Sequence, residues 1–290
     1  MTIDTSPQGG CPPAVTELDR EAARAAISAV AKRFAALLRG IDNTKHPARG
    51  TAWTVGETAA HVLVVINAFS AAIDGQPQAL VADQIPDADF PTRLAACNAS
   101  TIAMVDHSDA ARIAEMITVA TQRFLRLTAA AHPDQECATP WYGRGRTRTV
   151  DCLIALALGE LTVHGHDIAT GTGRPWHIPT EHAQLIVGTV CPNMSPLTVR
   201  SDACRGASVV YEIRLRANGP RYVLEVADGK VEVRPAGEPV DCVISARPVT
   251  FLLVAYGRLP LYRAFIRGGI VSTGRRPWLG LRFKALFYNP

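Results

Sequence analysis

What the sequence lacks narrows its class. No uninterrupted run of 18 or more apolar residues reads as a membrane span. The first residues hold no basic region followed by an apolar one, so no signal peptide is expected and a cytoplasmic location is. None of the seven cysteines (Cys11, Cys97, Cys137, Cys152, Cys191, Cys204 and Cys242) pairs with another at C-x-x-C spacing. That excludes a zinc knuckle or dithiol motif, and the odd, scattered set reads as reduced thiols. Cys152 falls on the same expected helix as Glu160 but reads as a buried structural thiol. Internal repeats and low-complexity tracts are missing too. Acidic residues are absent from residues 258–290, which hold Arg258, Arg263, Arg267, Arg275, Arg276, Arg282 and Lys284. The whole chain carries a formal charge of +4, so the remainder is close to −3. Such a basic segment suits an anionic ligand or an acidic surface, or is simply a solvated face. Its aromatic residues fall at spacings suited to a core and do not interleave for base stacking, so neither nucleic acid nor membrane is an expected partner.

What is present is the composition of a globular protein, 48% apolar and 19% charged, and 290 residues suggest two domains. Residues 1–14 read as a flexible tail. Helical periodicity runs from about residue 16 to 41, then from Trp53 onward. There Thr54 and Glu57 have the spacing of a capping box. A loop of about 14 residues follows residue 77. A third helical region spans about 91–131 with a break near His107, and a fourth spans about 150–169. Four such helices predict a four-helix bundle over residues 15–176. Between the third and fourth, residues 141–149 place Arg144, Arg146 and Arg148 at alternate positions, either reaching an anion or forming an exposed hairpin. After Trp176 come one short helix over 180–190, four alternating runs and an Asp228-Gly229 turn. Short helices follow, with a strand over 268–274 and a closing helix over 277–287. This predicts an α+β unit over residues 177–290 and an α+β, two-domain chain overall.

Glu160 and His164 are four residues apart, so a helix stacks them on one face. Two readings stand: a plain hydrogen bond, or two ligands of one divalent metal. His61, on an apolar helix face, is either a satisfied core histidine or a third ligand from a facing bundle helix. Three N/O ligands with an open fourth position suit catalytic rather than structural zinc, and the set also admits nickel, iron(II) or manganese. His166 points to another face and reads as a non-ligand. Asp167, three residues from His164, either orients its imidazole or pairs near the helix end. His46, His107 and His132 lie at helix breaks, and His177 and His182 follow the bundle.

The stretch Trp53-Thr-Val-Gly-Glu-Thr-Ala-Ala-His61, followed by Glu160-Leu-Thr-Val-His164-Gly-His-Asp167 and Gly173-Arg-Pro-Trp176, resembles the mycothiol-dependent maleylpyruvate isomerase family. These are DinB-like metal-binding helical bundles. The Asp228-Gly229 hairpin and residues 268–274 resemble the sterol-carrier-like C-terminal domain of that family. The resemblance implies that His61, Glu160 and His164 are the metal ligands, with zinc the first choice of metal. It implies mycothiol as the thiol cosubstrate, its sulfur held on the metal as a thiolate that attacks a small electrophile. No protein nucleophile is then assigned. It also implies a C-terminal arginine that anchors substrate carboxylate, for which Arg275, Arg276 and Arg282 are candidates, with Arg146 a further anion-binding candidate. The expected function is mycothiol S-transfer or thiol exchange, in detoxification or secondary metabolism. The alternatives are maleylpyruvate cis-trans isomerisation and a non-catalytic lipid- or small-ligand-binding module.

Overall fold

The computed structural model describes residues 17–77, 89–206, 208–237 and 239–289. The tail expected over residues 1–14 and most of the loop after residue 77 lie outside these residues.

Helix α1 (Arg20–Arg39) starts where the Asp19 carboxylate accepts the Ala22 N–H, and it turns Ile27, Val30, Phe34 and Leu38 inward at helical spacing. Helix α2 (Val55–Ile73) opens with the capping box, the Glu57 carboxylate accepting the Thr54 N–H at 2.8 Å while the Thr54 hydroxyl accepts from Glu57. By length and composition α2 could cross a membrane, but most of it is buried inside the protein. The third helical region is two helices, α3 (Phe90–Ile102) and α4 (Ala110–Ala130), each started by an aspartate cap, with His107 in the break. Helix α5 (Val150–Gly171) begins at a Thr149 cap. Helices α1, α4, α2 and α5 pack in that cyclic order as the four-helix bundle, each touching two neighbours, while α3 lies outside against α2.

Residues 136–149 form a small hairpin, β1 (Glu136–Ala138) paired antiparallel with β2 (Thr147–Thr149), and a 3-10 turn at Pro140–Tyr142 lies between them. Arg148 is buried in it, its guanidinium 5.6 Å from the Tyr142 ring centre. The hairpin is therefore packed onto the bundle rather than fully exposed.

Helix α6 (Thr180–Thr198) corrects the shorter helix over 180–190, because it continues through Pro192 and Pro196. Proline removes a helical N–H. The two affected carbonyls are those of Gly188 and Pro192; the side chains of Asn193, Ser195 and Thr198 add bonds of their own to Thr189 O, Cys191 O and Met194 O, at 2.8, 2.6 and 3.1 Å. The sheet domain follows with β3 (Ser208–Leu215), β4 (Arg221–Ala227), β5 (Lys230–Pro235), β6 (Cys242–Ala246), α7 (Pro248–Ala255), α8 (Leu261–Ile266) and β7 (Ile270–Thr273). The strands lie in the order β5-β4-β3-β6-β7, and β3 and β6 are the parallel pair. The expected closing helix over 277–287 is instead two 3-10 turns, Pro277–Leu281 and Phe283–Leu286. Gly280 sits tight against Ser272 and Phe265, and Ser272 donates to Pro277 O at 2.6 Å, which holds the segment flat on β7.

The two halves meet on α5. Seventeen of its 22 residues are buried, because α1 and α2 cover one side and α6 another. Gly159 makes this approach possible, since a Cβ there would stand 2.9 Å from the Tyr256 hydroxyl.

Candidate metal centre

Helix α2 contributes His61 and α5 contributes Glu160 and His164, and their packing brings the three side chains to one point. The Nε2 atoms of His61 and His164 each lie 3.2 Å from the same oxygen, Oε2 of Glu160. One donor atom from each of the three residues lies within 4.8 Å of the others. The two imidazoles meet edge to face with centres 5.1 Å apart, and the Trp53 ring lies 4.7 Å from His61.

Asp167 is fully buried one turn beyond His164, and its Oδ2 is 3.1 Å from His164 Nδ1. A carboxylate there accepts a hydrogen bond from Nδ1–H and leaves Nε2 as the atom that faces Glu160. Asp167 is itself gripped from the sheet domain. Arg258 Nε donates to its Oδ1 at 3.0 Å and Arg258 Nη2 to its Oδ2 at 2.6 Å. Gly257, at φ +74°, makes the turn after α7 that directs Arg258 back onto α5.

Electrostatics follow from burial and pairing. Burial pushes the Glu160 carboxyl up, but hydrogen bonds from His164 and His61 outweigh it and hold the group well below the usual carboxylate range. Burial draws His61 down despite the pull of Glu160. Burial also draws His164 down, but Asp167 and Glu160 overcome it and lift this imidazole to about 9. Burial raises the Asp167 carboxyl, and His164 and Arg258 more than reverse that.

The donor set suits a divalent metal. A tetrahedron with bonds of about 2.1 Å spaces its corners about 3.4 Å apart, close to the 3.2 Å separations here. Without an ion, both Nε2 atoms can donate to Glu160 only if His164 carries a second proton, which a divalent ion would displace. His61, His164 and Glu160 could hold the ion, with a fourth position facing the cavity.

That cavity has a volume of about 340 Å³ and is lined by aromatic side chains, among them Trp53, Phe69, Phe90, Trp141, Tyr142 and Tyr256. Cys97 also lines it, but burial raises its thiol, so it stays protonated. His166 and Cys152 are not part of the lining. Nor are the arginines singled out from the sequence. Arg275 and Arg276 flank Asp241 at 2.7 and 3.9 Å, Arg282 is exposed on the closing turns, and Arg146 borders a separate crevice with Phe90 and Lys230. The arginine that reaches the cavity is Arg258. Sequence reasoning counted it among the basic residues of the C-terminal segment, but no local motif marked it.

Residues 27–169 match the family model of the mycothiol maleylpyruvate isomerase N-terminal domain, and residues 196–277 match that of the SCP-2 sterol transfer family. No curated protein matches the sequence. Among solved structures, the chain is similar to a mycothiol-dependent maleylpyruvate isomerase, with a TM-score of 0.50 and 15% identity. It is similar to a histidine-to-alanine mutant of a mycothiol-dependent maleylpyruvate isomerase, with a TM-score of 0.51 and 14% identity. Both alignments cover 88% of this chain and 93% of the other. At that identity the likeness speaks for the fold, and it extends over both domains. Residues 27–169 therefore form a domain of the mycothiol maleylpyruvate isomerase N-terminal type, and residues 196–277 one of the SCP-2 type.

Proposed function

We propose that this protein is a metal-dependent enzyme that joins the thiol of mycothiol to an electrophilic small molecule, an S-transfer or thiol-exchange reaction. The observation that carries the reading is the convergence of His61, Glu160 and His164 on one point at the base of an aromatic cavity. The N-terminal family match supports mycothiol as the thiol. The reading includes a metal-binding bundle over residues 15–176 and a sterol-carrier-like unit over 177–290.

A divalent ion held by these three side chains supplies Lewis acidity that keeps a thiol as its thiolate at neutral pH. The rest falls to the chain. His61 and His164 present Nε2, and Glu160 adds the charge that makes the site selective for a cation. Asp167 fixes the His164 tautomer, and Arg258 fixes Asp167. The aromatic wall would give the bound thiol and an electrophile an apolar surround. No protein side chain is assigned as nucleophile, in keeping with the protonated state of Cys97.

The second reading, maleylpyruvate isomerisation by the same thiol, is favoured by the family match over residues 27–169. A role as a ligand carrier is disfavoured by size. The sheet domain's own apolar gap, among Cys191, Tyr222, Phe251 and Phe283, holds about 50 Å³, against roughly 300–1,000 Å³ for small-molecule sites.

The test is metal analysis of the purified protein, then calorimetric titration with mycothiol before and after EDTA. One metal per chain and thiol binding that EDTA abolishes are expected. A protein with neither metal nor thiol affinity refutes the reading. Product analysis with maleylpyruvate then separates isomerase from transferase.

A further inference from the structure

The cavity's charges bear on which electrophile it accepts. Of the 30 basic residues in the chain, Arg258 is the one that lines the cavity among the described residues. The residues outside the described ranges hold no lysine or arginine at all. Arg258 is also engaged through each of its three nitrogens. Its Nε and Nη2 hold the two Asp167 oxygens, and its Nη1 donates to Tyr256 O at 2.5 Å. Asp167 has no exposure to solvent, so an Arg258 that turned to a substrate carboxylate would leave a buried carboxylate without its main partner.

The remaining lining is uncharged. Six aromatic rings and the aliphatic groups between them make most of it; its polar side-chain groups are those of Thr51, Asn98, Thr101 and Cys97, the Tyr142 and Tyr256 hydroxyls and the Trp53 and Trp141 N–H groups, and none of them is a cation. The Thr101 hydroxyl is already given to Cys97 O at 2.9 Å. A dication, Glu160 and one thiolate cancel in charge, and the Asp167–Arg258 pair is neutral. An uncharged electrophile keeps this partly enclosed site neutral, whereas a dicarboxylate brings two charges that no free cation answers.

From this juxtaposition of a committed arginine and an aromatic wall, we infer that the electrophile is uncharged and largely apolar, about the size of a substituted aromatic ring, and not a dicarboxylate. The inference rests on the proposed function for the reaction, but the preference itself belongs to the cavity. It also separates the two readings above, because maleylpyruvate is a dicarboxylate.

The experiment compares ligands that differ only in charge. The zinc-loaded protein is titrated by calorimetry with para-nitrobenzyl alcohol, para-nitrobenzoate and maleate. The alcohol is expected to bind at least ten times more tightly than either anion. The Asn98→Arg variant adds a free cation at the wall. It is expected to raise affinity for para-nitrobenzoate at least tenfold relative to the alcohol. Tighter binding of either anion to the native protein, or no binding of the alcohol, overturns the inference. So does an Asn98→Arg protein that folds, by circular dichroism, yet gains nothing for the anion. Metal content and mycothiol affinity of the same preparation keep the two levels apart. A protein that holds both and prefers anions loses the substrate class but keeps the proposed function. One that holds neither loses the proposed function, and the same three ligands titrated into the metal-free protein then report on the cavity.

Discussion

Replacing Arg258 by methionine tests the tie between the sheet domain and the metal centre. Methionine keeps much of the apolar stem and removes the guanidinium. Asp167, with no solvent exposure, loses two charge-assisted hydrogen bonds and keeps only His164 Nδ1 at 3.1 Å. Removing one partner of a buried ion pair costs about 3–5 kcal/mol, most of it from the charge left behind. For a domain of this size that lowers the melting temperature by on the order of 10 °C. Removing both partners removes the stranded charge. The double variant Asp167→Asn with Arg258→Met should therefore be more stable than the sum of the single losses by at least about 1.5 kcal/mol. Urea unfolding followed by circular dichroism measures all four corners of the cycle. The effect of pH gives a second reading. In the native protein Asp167 titrates below its unfolded value, so its contribution is complete above that value and is lost as pH falls through the folded one. Without Arg258, burial dominates and the folded value moves up. The stranded carboxylate then penalises the fold at neutral pH, and the penalty fades on acidification as it takes a proton. The gap between native and variant should thus narrow as pH falls. Strict additivity in the cycle, or a gap that widens with acid, would refute the buried-pair argument.

His61→Ala should leave less than about a tenth of the native metal content after dialysis, read by elemental analysis, because two protein ligands hold an exchangeable ion poorly; full retention would point to a different site. Asp167→Asn should weaken zinc about 10–100-fold by releasing the His164 tautomer, measured by competition with a chromophoric chelator. His164, lifted to about 9 in the metal-free protein, must lose its proton to bind metal. About one proton should leave per zinc at pH 7, with affinity rising as pH approaches that value; calorimetry in two buffers of different ionisation enthalpy counts it, and a count near zero contradicts the arrangement. Thr54→Ala should cost about 1 kcal/mol through loss of the α2 cap. Hydrogen bonds from Thr54 hold the Glu57 carboxyl low, so that stabilisation is present above its unfolded value and disappears as pH falls through the folded one. The cost of Thr54→Ala should shrink in acid unfolding series accordingly.

The parts of this structure that were legible in the sequence are those written within a turn or two of chain. The Thr54–Glu57 capping box and the Glu160/His164 spacing depend on helix geometry alone, and both are met. His61 lies 99 residues from Glu160; helix pattern alone left it open between a core histidine and a ligand, and the family resemblance is what marked it as a companion. The misreadings have physical causes as well. Proline at 192 and 196 ordinarily ends a helix, yet α6 runs through both to Thr198. Residues 277–287 carry a helical apolar pattern, but contact of Gly280 with the edge strand favours 3-10 turns.

Arg258 is the instructive case. Basic residues crowd the C-terminal segment, and nothing local distinguishes the one that turns inward from those that face solvent. Its selection is made by docking: α6 and α7 seat the sheet domain on α5, Gly159 admits Tyr256, and Gly257 turns the chain so that the next side chain meets Asp167. The second domain thereby does more than cover the cavity. It supplies the cation that keeps a buried carboxylate ionised, and that carboxylate holds the His164 imidazole by Nδ1 with Nε2 toward Glu160. An arginine spent in this way is not free to bind substrate. Stability at the domain junction and discrimination against anionic electrophiles therefore follow from the same pair of side chains, and a variant that frees one should alter the other.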